Sequence, residues 1–257
     1  MRCALAGLFL VAAGCGSGDT DAVDAAVGVD ASDAAIDAPP IDGAVAGPIR
    51  ACPVSSDLVA CYLFDNNGID NSANANNTVA VGVEFTDGVA NRAAVFTDND
   101  QMTVVEDGQT FEVVAVTIEA WLRPSAFPDG GDVRAGVFDK NGQYSFFIDP
   151  TGAVFCNGAG GVLAPAGQLT IGTWSHVACS MRDDDGKRVY VDRTEVAAIP
   201  PPINPLSTGV GDPAEIGSDG PFTIDDSHYE GAIDNLLIWS TVRTRDQLCE
   251  TSGLDCQ

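Results

Sequence analysis

The chain has 257 residues, room for one large all-β domain or two ordinary ones, and its 37 acidic against 12 basic residues give a formal charge of −25. With no basic patch to displace phosphate counterions, that charge excludes nucleic acid and anionic lipid as partners, while it suits extracellular solubility and divalent cations. A 7% aromatic content with 28 Gly and 14 Pro fits many short strands joined by tight turns and argues against a helical bundle.

In chain order, the first element is an apolar run after Met1-Arg2, too short to span a bilayer, which marks residues 1–14 as a signal peptide. It ends in Ala12-Ala13-Gly14-Cys15, which resembles the bacterial lipobox. The resemblance implies cleavage before Cys15 and a diacylglycerol on its sulfur; ordinary secretion with Cys15 as a bystander is the competing reading. Gly16 rather than Asp after Cys15 favours the outer membrane and cell surface. Residues 15–51 are then rich in Asp and Ala, and from Gly16 to Arg50 no aromatic residue occurs. Such a stretch cannot bury enough apolar surface to offset its ordering entropy, and it reads as a self-repelling disordered tether.

From Cys52 onwards, runs of apolar and polar alternation are bounded by Gly, Asn, Asp or Pro. They predict strands at 58–64, 79–85, 93–96, 102–105, 113–122, 136–138, 144–148, 153–156, 176–181, 188–191, 195–199, 214–216 and 232–239. Strands this numerous and evenly spaced make residues 52–257 an all-β domain, a sandwich or barrel. Only the tail reads as helix, where Thr244 and Gln247 form a capping box before Leu248. Once Cys3 leaves with the leader and Cys15 is acylated, six of the 8 cysteines remain. An even number in an exported protein points to disulfides. Locality favours Cys52–Cys61 and Cys249–Cys256, which pairs Cys156 with Cys179, two residues on the core-facing side of their strands. A metal cluster is the rival, weakened by the absence of C-x-x-C.

The order of short motifs resembles that of laminin-G-like, concanavalin A-like jelly-roll domains. Leu58-Val59-Ala60-Cys61-Tyr62-Leu63-Phe64-Asp65 and the Asn/Asp loop after it are similar to the family's opening, and Ile118-Glu119-Ala120-Trp121-Leu122 to its Trp-bearing strand. Trp174-Ser175-His176-Val177-Ala178 and Tyr190-Val191-Asp192 resemble later strands, although Arg193 stands where the family usually has Gly. Gly231-Ala232-Ile233-Asp234 through Ile238-Trp239 resembles the closing strand. The resemblance implies a two-sheet antiparallel β-sandwich with a short C-terminal helix.

Glycoside hydrolases of this fold work with two carboxylates, in one branch on a single strand face as E-x-D-x-x-E, and no such run occurs. Glu119 is the lone carboxylate on its strand, and His176 and His228 have no nucleophile or metal-protease context. His176 reads as structural. A loop from Asp70 to Asn76 holds the oxygen donors calcium takes. The resemblance implies Asp70, Asn76 and Asp234 as a calcium set; ordinary turn chemistry explains the same residues. A second possibility is Asn141 with Asp219, Asp225 and Asp226. Sugar platforms are sought at Phe127, Tyr144, Phe222 and Tyr229, whereas Trp121, Trp174 and Trp239 read as core. The expectation is a non-catalytic surface module binding a glycan or an extracellular protein through calcium, against a glycan hydrolase or lyase with loop-borne residues, or an envelope protein with no small ligand.

Overall fold

A computed structural model describes residues 47–97, 99–104, 109–129, 134–158, 160–209, 212–219 and 228–255. The leader, Cys15 and the tether up to residue 46 lie outside the described residues. The alternating runs form β1 (Leu58–Tyr62), β2 (Thr78–Val81), β3 (Glu84–Asp87), β4 (Arg92–Phe96), β5 (Gln101–Val104), β6 (Ala115–Pro124), β7 (Ala135–Lys140) and β8 (Tyr144–Ile148). They continue as β9 (Val154–Asn157), β10 (Val162–Leu163), β11 (Ser175–Arg182), β12 (Gly186–Val191), β13 (Thr194–Ile199), β14 (Ala214–Ile216) and β15 (Gly231–Trp239), and close with the helix α1 (Arg245–Ser252).

Among the described residues these strands make two antiparallel sheets. One runs β13-β12-β11-β6-β15-β4-β3, with β1 also paired to β15; the other runs β10-β9-β8-β7-β14-β5-β2. Because side chains alternate across a strand, each sheet turns one set inward. Val116, Ile118, Ala120 and Leu122 of β6 meet Phe138, Phe146, Val154 and Ile216 of the other sheet in one fully buried core.

The structure corrects two strand expectations. Residues 79–85 are two strands in different sheets, separated at Gly82, whose φ of 78° lies in the left-handed region where side chains are strained. β10, two residues long, carries too short an alternation to be seen in the sequence. A third feature lies within β15, where the register against β6 slips between Asp234 and Leu237 and Asn235 has φ 48°. This bulge inserts one residue and reverses the facing of everything after it. Ile233, Leu236 and Ile238 face the core, while Leu237 and Trp239 join a separate outer cluster with Leu58, Cys61 and Leu63.

Cys52–Cys61 and Cys156–Cys179 are disulfide-bonded. Cys249 is disulfide-bonded as well, and its expected partner, Cys256, lies outside the described residues. The capping box is present: the Thr244 hydroxyl accepts from the Gln247 N–H and the Gln247 side chain accepts from the Thr244 N–H. Between β12 and β13, Val191 pairs with Thr194 across a two-residue turn, and Asp192 and Arg193 have φ 45° and 73°. Two left-handed residues in a two-residue hairpin make a type I′ turn, which explains why Gly is usual where Arg193 stands. Arg193→Gly is expected to raise stability by roughly 1 kcal/mol by relieving that strain, read as an upward shift in a thermal melt; an unchanged melt would show that the turn holds Arg193 without penalty.

Candidate functional site

The outer face of the seven-stranded sheet carries a row of polar residues. Direct register places Thr103 of β5 opposite Glu215 of β14, Glu215 opposite Asp139 of β7, Asp139 opposite Ser145 of β8, and Ser145 opposite Asn157 of β9. Their chain neighbours Met102, Ile216, Phe138, Phe146 and Cys156 belong to the core, which sends the row to the opposite face. Thr103 Oγ1 donates to Glu215 Oε2 at 3.0 Å and Ser145 Oγ donates to Asp139 Oδ1. The other carboxylate oxygens, Glu215 Oε1 and Asp139 Oδ2, are buried without a hydrogen-bond partner.

Like charges directly opposite one another on a sheet repel, and burial adds a desolvation cost. Burial, reinforced by the Asp139 charge and opposed by the Thr103 hydrogen bond, pushes Glu215 up to about 7. Burial also raises Asp139 to about 6; the charges of Asp219 and Asp212 add to this, against the Ser145 hydrogen bond and the Arg134 charge. The pair therefore holds a proton near neutrality.

Beside this row the face becomes open. Arg134 lies over the Phe147 ring at 4.3 Å, its Nε donates to Asp219 Oδ2 at 2.6 Å, and Phe147 stacks on Phe155 with ring centroids 6.2 Å apart. Phe147 is buried and Phe155 half-buried. Arg134, Asp149, Phe155 and the half-exposed Leu163 line a cleft of about 280 Å³. An aromatic face flanked by a guanidinium and a carboxylate presents both an apolar surface and hydrogen-bonding groups to a polyhydroxylated ligand. Sequence reading missed this cleft because Phe155 and Arg134 carry no motif; the alternation of Phe155 between core-facing Val154 and Cys156 was the available signal.

The residues expected to hold calcium are placed as follows. Asp70 Oδ1 accepts from the N–H groups of Cys61 and Ser72, and Oδ2 accepts from the Asn76 N–H and the Ser72 hydroxyl, all at 2.8 Å. Asn76 is buried; its amide donates to the Val59 carbonyl, its side-chain oxygen accepts from Thr110, and its backbone carbonyl accepts from Tyr62. Asp234 Oδ2 accepts from the N–H groups of Val89 and Ala90, while Oδ1 is buried without a partner. Burial, opposed by backbone hydrogen bonds from Ala90, Val89 and Asn235, raises Asp234 to about 7; the charge that adds to the rise is that of Asp65. Asp70 and Asp234 thus each organise a separate turn, and among the described residues no group of three or more His, Cys, Asp or Glu is arranged to hold a metal ion. Asn141 donates to Asp212, Asp219 accepts from Arg134, and Asp225 and Asp226 lie outside the described residues.

The aromatic expectations need correction. Tyr144 and Tyr229 are buried in the core and half-buried Phe127 packs against it, whereas Phe222 lies outside the described residues. Trp239 is buried in the outer cluster, and Trp121 faces outward beside His176 with centroids 5.6 Å apart. Trp174 is half-buried under the Arg123 guanidinium. Glu119, alone on its strand in sequence, is surrounded by partners from other elements. Its Oε2 lies 3.1 Å from His176 Nε2 and accepts from Thr251 Oγ1 of α1 at 2.6 Å, and its Oε1 accepts from Trp239 Nε1 at 2.7 Å. His176 is buried and shares the Glu119 carboxylate with Trp239 and Thr251.

A family model described as the concanavalin A-like lectin/glucanases superfamily, Laminin_G_3, matches residues 96–249. No curated protein matches the sequence. Among solved structures the chain is similar to domain 4 of AbnA, a GH43 extracellular arabinanase from Geobacillus stearothermophilus, in complex with arabinotriose. That likeness has 19% identity and a TM-score of 0.60, covering 76% of this chain and 98% of that one. It is similar to the binding domain of Paraclostridial Mosquitocidal Protein 1, at 13% identity and TM-score 0.57, covering 75% of this chain and 51% of that one. Trypanosoma rangeli sialidase in complex with the inhibitor DANA is similar at 16% identity and TM-score 0.56, over 82% of this chain and 35% of that one. At these identities the likenesses establish the fold.

Proposed function

Because the chain belongs to the concanavalin A-like lectin/glucanases superfamily, we propose that it is an exported, non-catalytic module that binds a neutral glycan in the cleft of Arg134, Asp149, Phe155 and Leu163. The observation that carries this reading is the stack of Arg134 on Phe147 on Phe155 at the mouth of that cleft. Phe155 offers a ring face to sugar C–H groups, while Arg134 and Asp149 offer donors and acceptors to hydroxyls. The arabinotriose bound to the AbnA domain and the word binding in the name of the mosquitocidal domain support a ligand-holding role over catalysis. Attachment at a cell surface rests on Cys15 as a lipid anchor, and among the described residues no helix is long and apolar enough to cross a membrane.

The test is calorimetric titration of the protein with neutral oligosaccharides, starting with arabinotriose, in calcium and in EDTA. Phe155→Ala and Arg134→Ala are expected to reduce binding at least tenfold, the loss of one buried aromatic contact or one charged hydrogen bond. Binding that is unchanged in both variants removes this cleft from consideration. The calcium and EDTA arms test the calcium expectation, which no cluster of ligands among the described residues supports; equal binding and equal melting in both excludes it.

A further inference from the structure

We propose that a second cleft, beside Arg123 at the meeting of β4, β6 and β15, binds the carboxylate of an acidic sugar such as a uronic acid. The cleft measures about 380 Å³ and is lined by Arg123, Ser125, Thr97, Thr86, Gly172 and Gly231, among others. This volume falls in the range of small-ligand sites. Its floor is open because Gly231, with φ 144°, lets β15 start against β6; a Cβ there would stand 2.5 Å from the Arg123 carbonyl oxygen.

Arg123 supplies the chemistry. Its guanidinium carbon sits 4.8 Å from the Trp174 ring centre, a cation–π contact that holds the group in place. Among the described residues the Arg123 guanidinium has neither a carboxylate nor a hydrogen-bond partner for its N–H groups. Arg92, Arg134, Arg182 and Arg188, by contrast, are each paired with a carboxylate. In a chain of 37 acidic and 12 basic residues, an oriented and unfilled guanidinium beside a cleft is an unspent fork of donors, matched by a planar carboxylate in two parallel hydrogen bonds. The hydroxyls of Thr86, Thr97 and Ser125 suit the rest of a sugar ring. The net charge of the chain disfavours an approaching anion, but over distances beyond about 8 Å that repulsion is screened at physiological salt, and the direct contact decides.

That the acid is borne by a sugar rests on the glycan reading above; the site itself does not share residues with the first cleft. Trigalacturonate and arabinotriose are therefore titrated separately into wild type, Arg123→Gln, Arg123→Lys and Phe155→Ala, with thermal melts to check folding. Trigalacturonate is expected to bind wild type and Phe155→Ala alike, to weaken about tenfold or more in Arg123→Gln, and to weaken less in Arg123→Lys, which keeps the charge and loses the fork. Arabinotriose is expected to be insensitive to Arg123. Failure of trigalacturonate to bind wild type, or equal affinity for Arg123→Gln, overturns the acidic-sugar site. If trigalacturonate binds as expected while arabinotriose does not bind at all, the first cleft fails and this one stands.

Discussion

Acidification from pH 8 to pH 5 is expected to raise the melting temperature of the protein. The free carboxyl groups of Asp and Glu titrate near 4 in the unfolded chain, whereas burial holds Asp139 near 6 and Glu215 and Asp234 near 7 in the folded one. Between those limits folding takes up protons, so stability is fullest below about pH 4 and is lost as the pH rises through 6 and 7. A carboxylate displaced by about two units costs about 3 kcal/mol once it is ionised in the fold. Asp139 and Glu215 face one another, so the second ionisation is the costly one and their contributions do not simply add. For a domain of this size 3 kcal/mol corresponds to a shift of roughly 6–12 °C. Glu215→Gln should raise the melting temperature at pH 8, change little at pH 5, and flatten the profile. A profile that falls on acidification, or one that Glu215→Gln leaves as steep, would refute the account of the buried pair.

The other large effect is expected at Glu119. The residue is fully buried, and its two oxygens bring together β6, β11, β15 and α1 through His176, Trp239 and Thr251. Glu119→Ala leaves an imidazole, an indole N–H and a hydroxyl without their shared acceptor and opens a cavity. The expected loss is about 3–5 kcal/mol, as for removal of one member of a buried pair. Glu119→Gln keeps the volume and one acceptor oxygen and should lose less. If both variants melt with wild type, the helix is held by Leu248 against Ala178 and Tyr190 alone.

How far the sequence carried depends on how local the signal was. Period-two alternation lies within a few residues, so β6, β8, β11 and β15 were found, as was the helix from Thr244 and Gln247. The strands at 78–81 and 84–87 read as one because alternation says nothing about which sheet a run joins; Gly82 was the only mark of the crossing. Cross-strand partners are set by register between distant segments. Asp139 and Glu215 lie 76 positions apart and neither stands in a motif, so their opposition was invisible before the strands were paired. Glu119 appeared solitary for the same reason. Asp70 and Asn76 were noticed because the residue types that coordinate calcium also satisfy loops, and the hydrogen bonds they make fasten this loop to itself and to β1.

The path by which the chain enters the sandwich gives the molecule a front and a back. Ile49 and Cys52 pack on Leu237 and Trp239, the Ile49 carbonyl accepts from Asn235, and so the N-terminal segment arrives on the outer face of the eight-stranded sheet, where the bulge in β15 has turned those side chains outward. The Phe155 cleft opens on the reverse face. The entry of the chain at Ile49 and the Phe155 cleft thus lie on opposite faces of the sandwich, and the single residue inserted at Asn235 contributes to that separation.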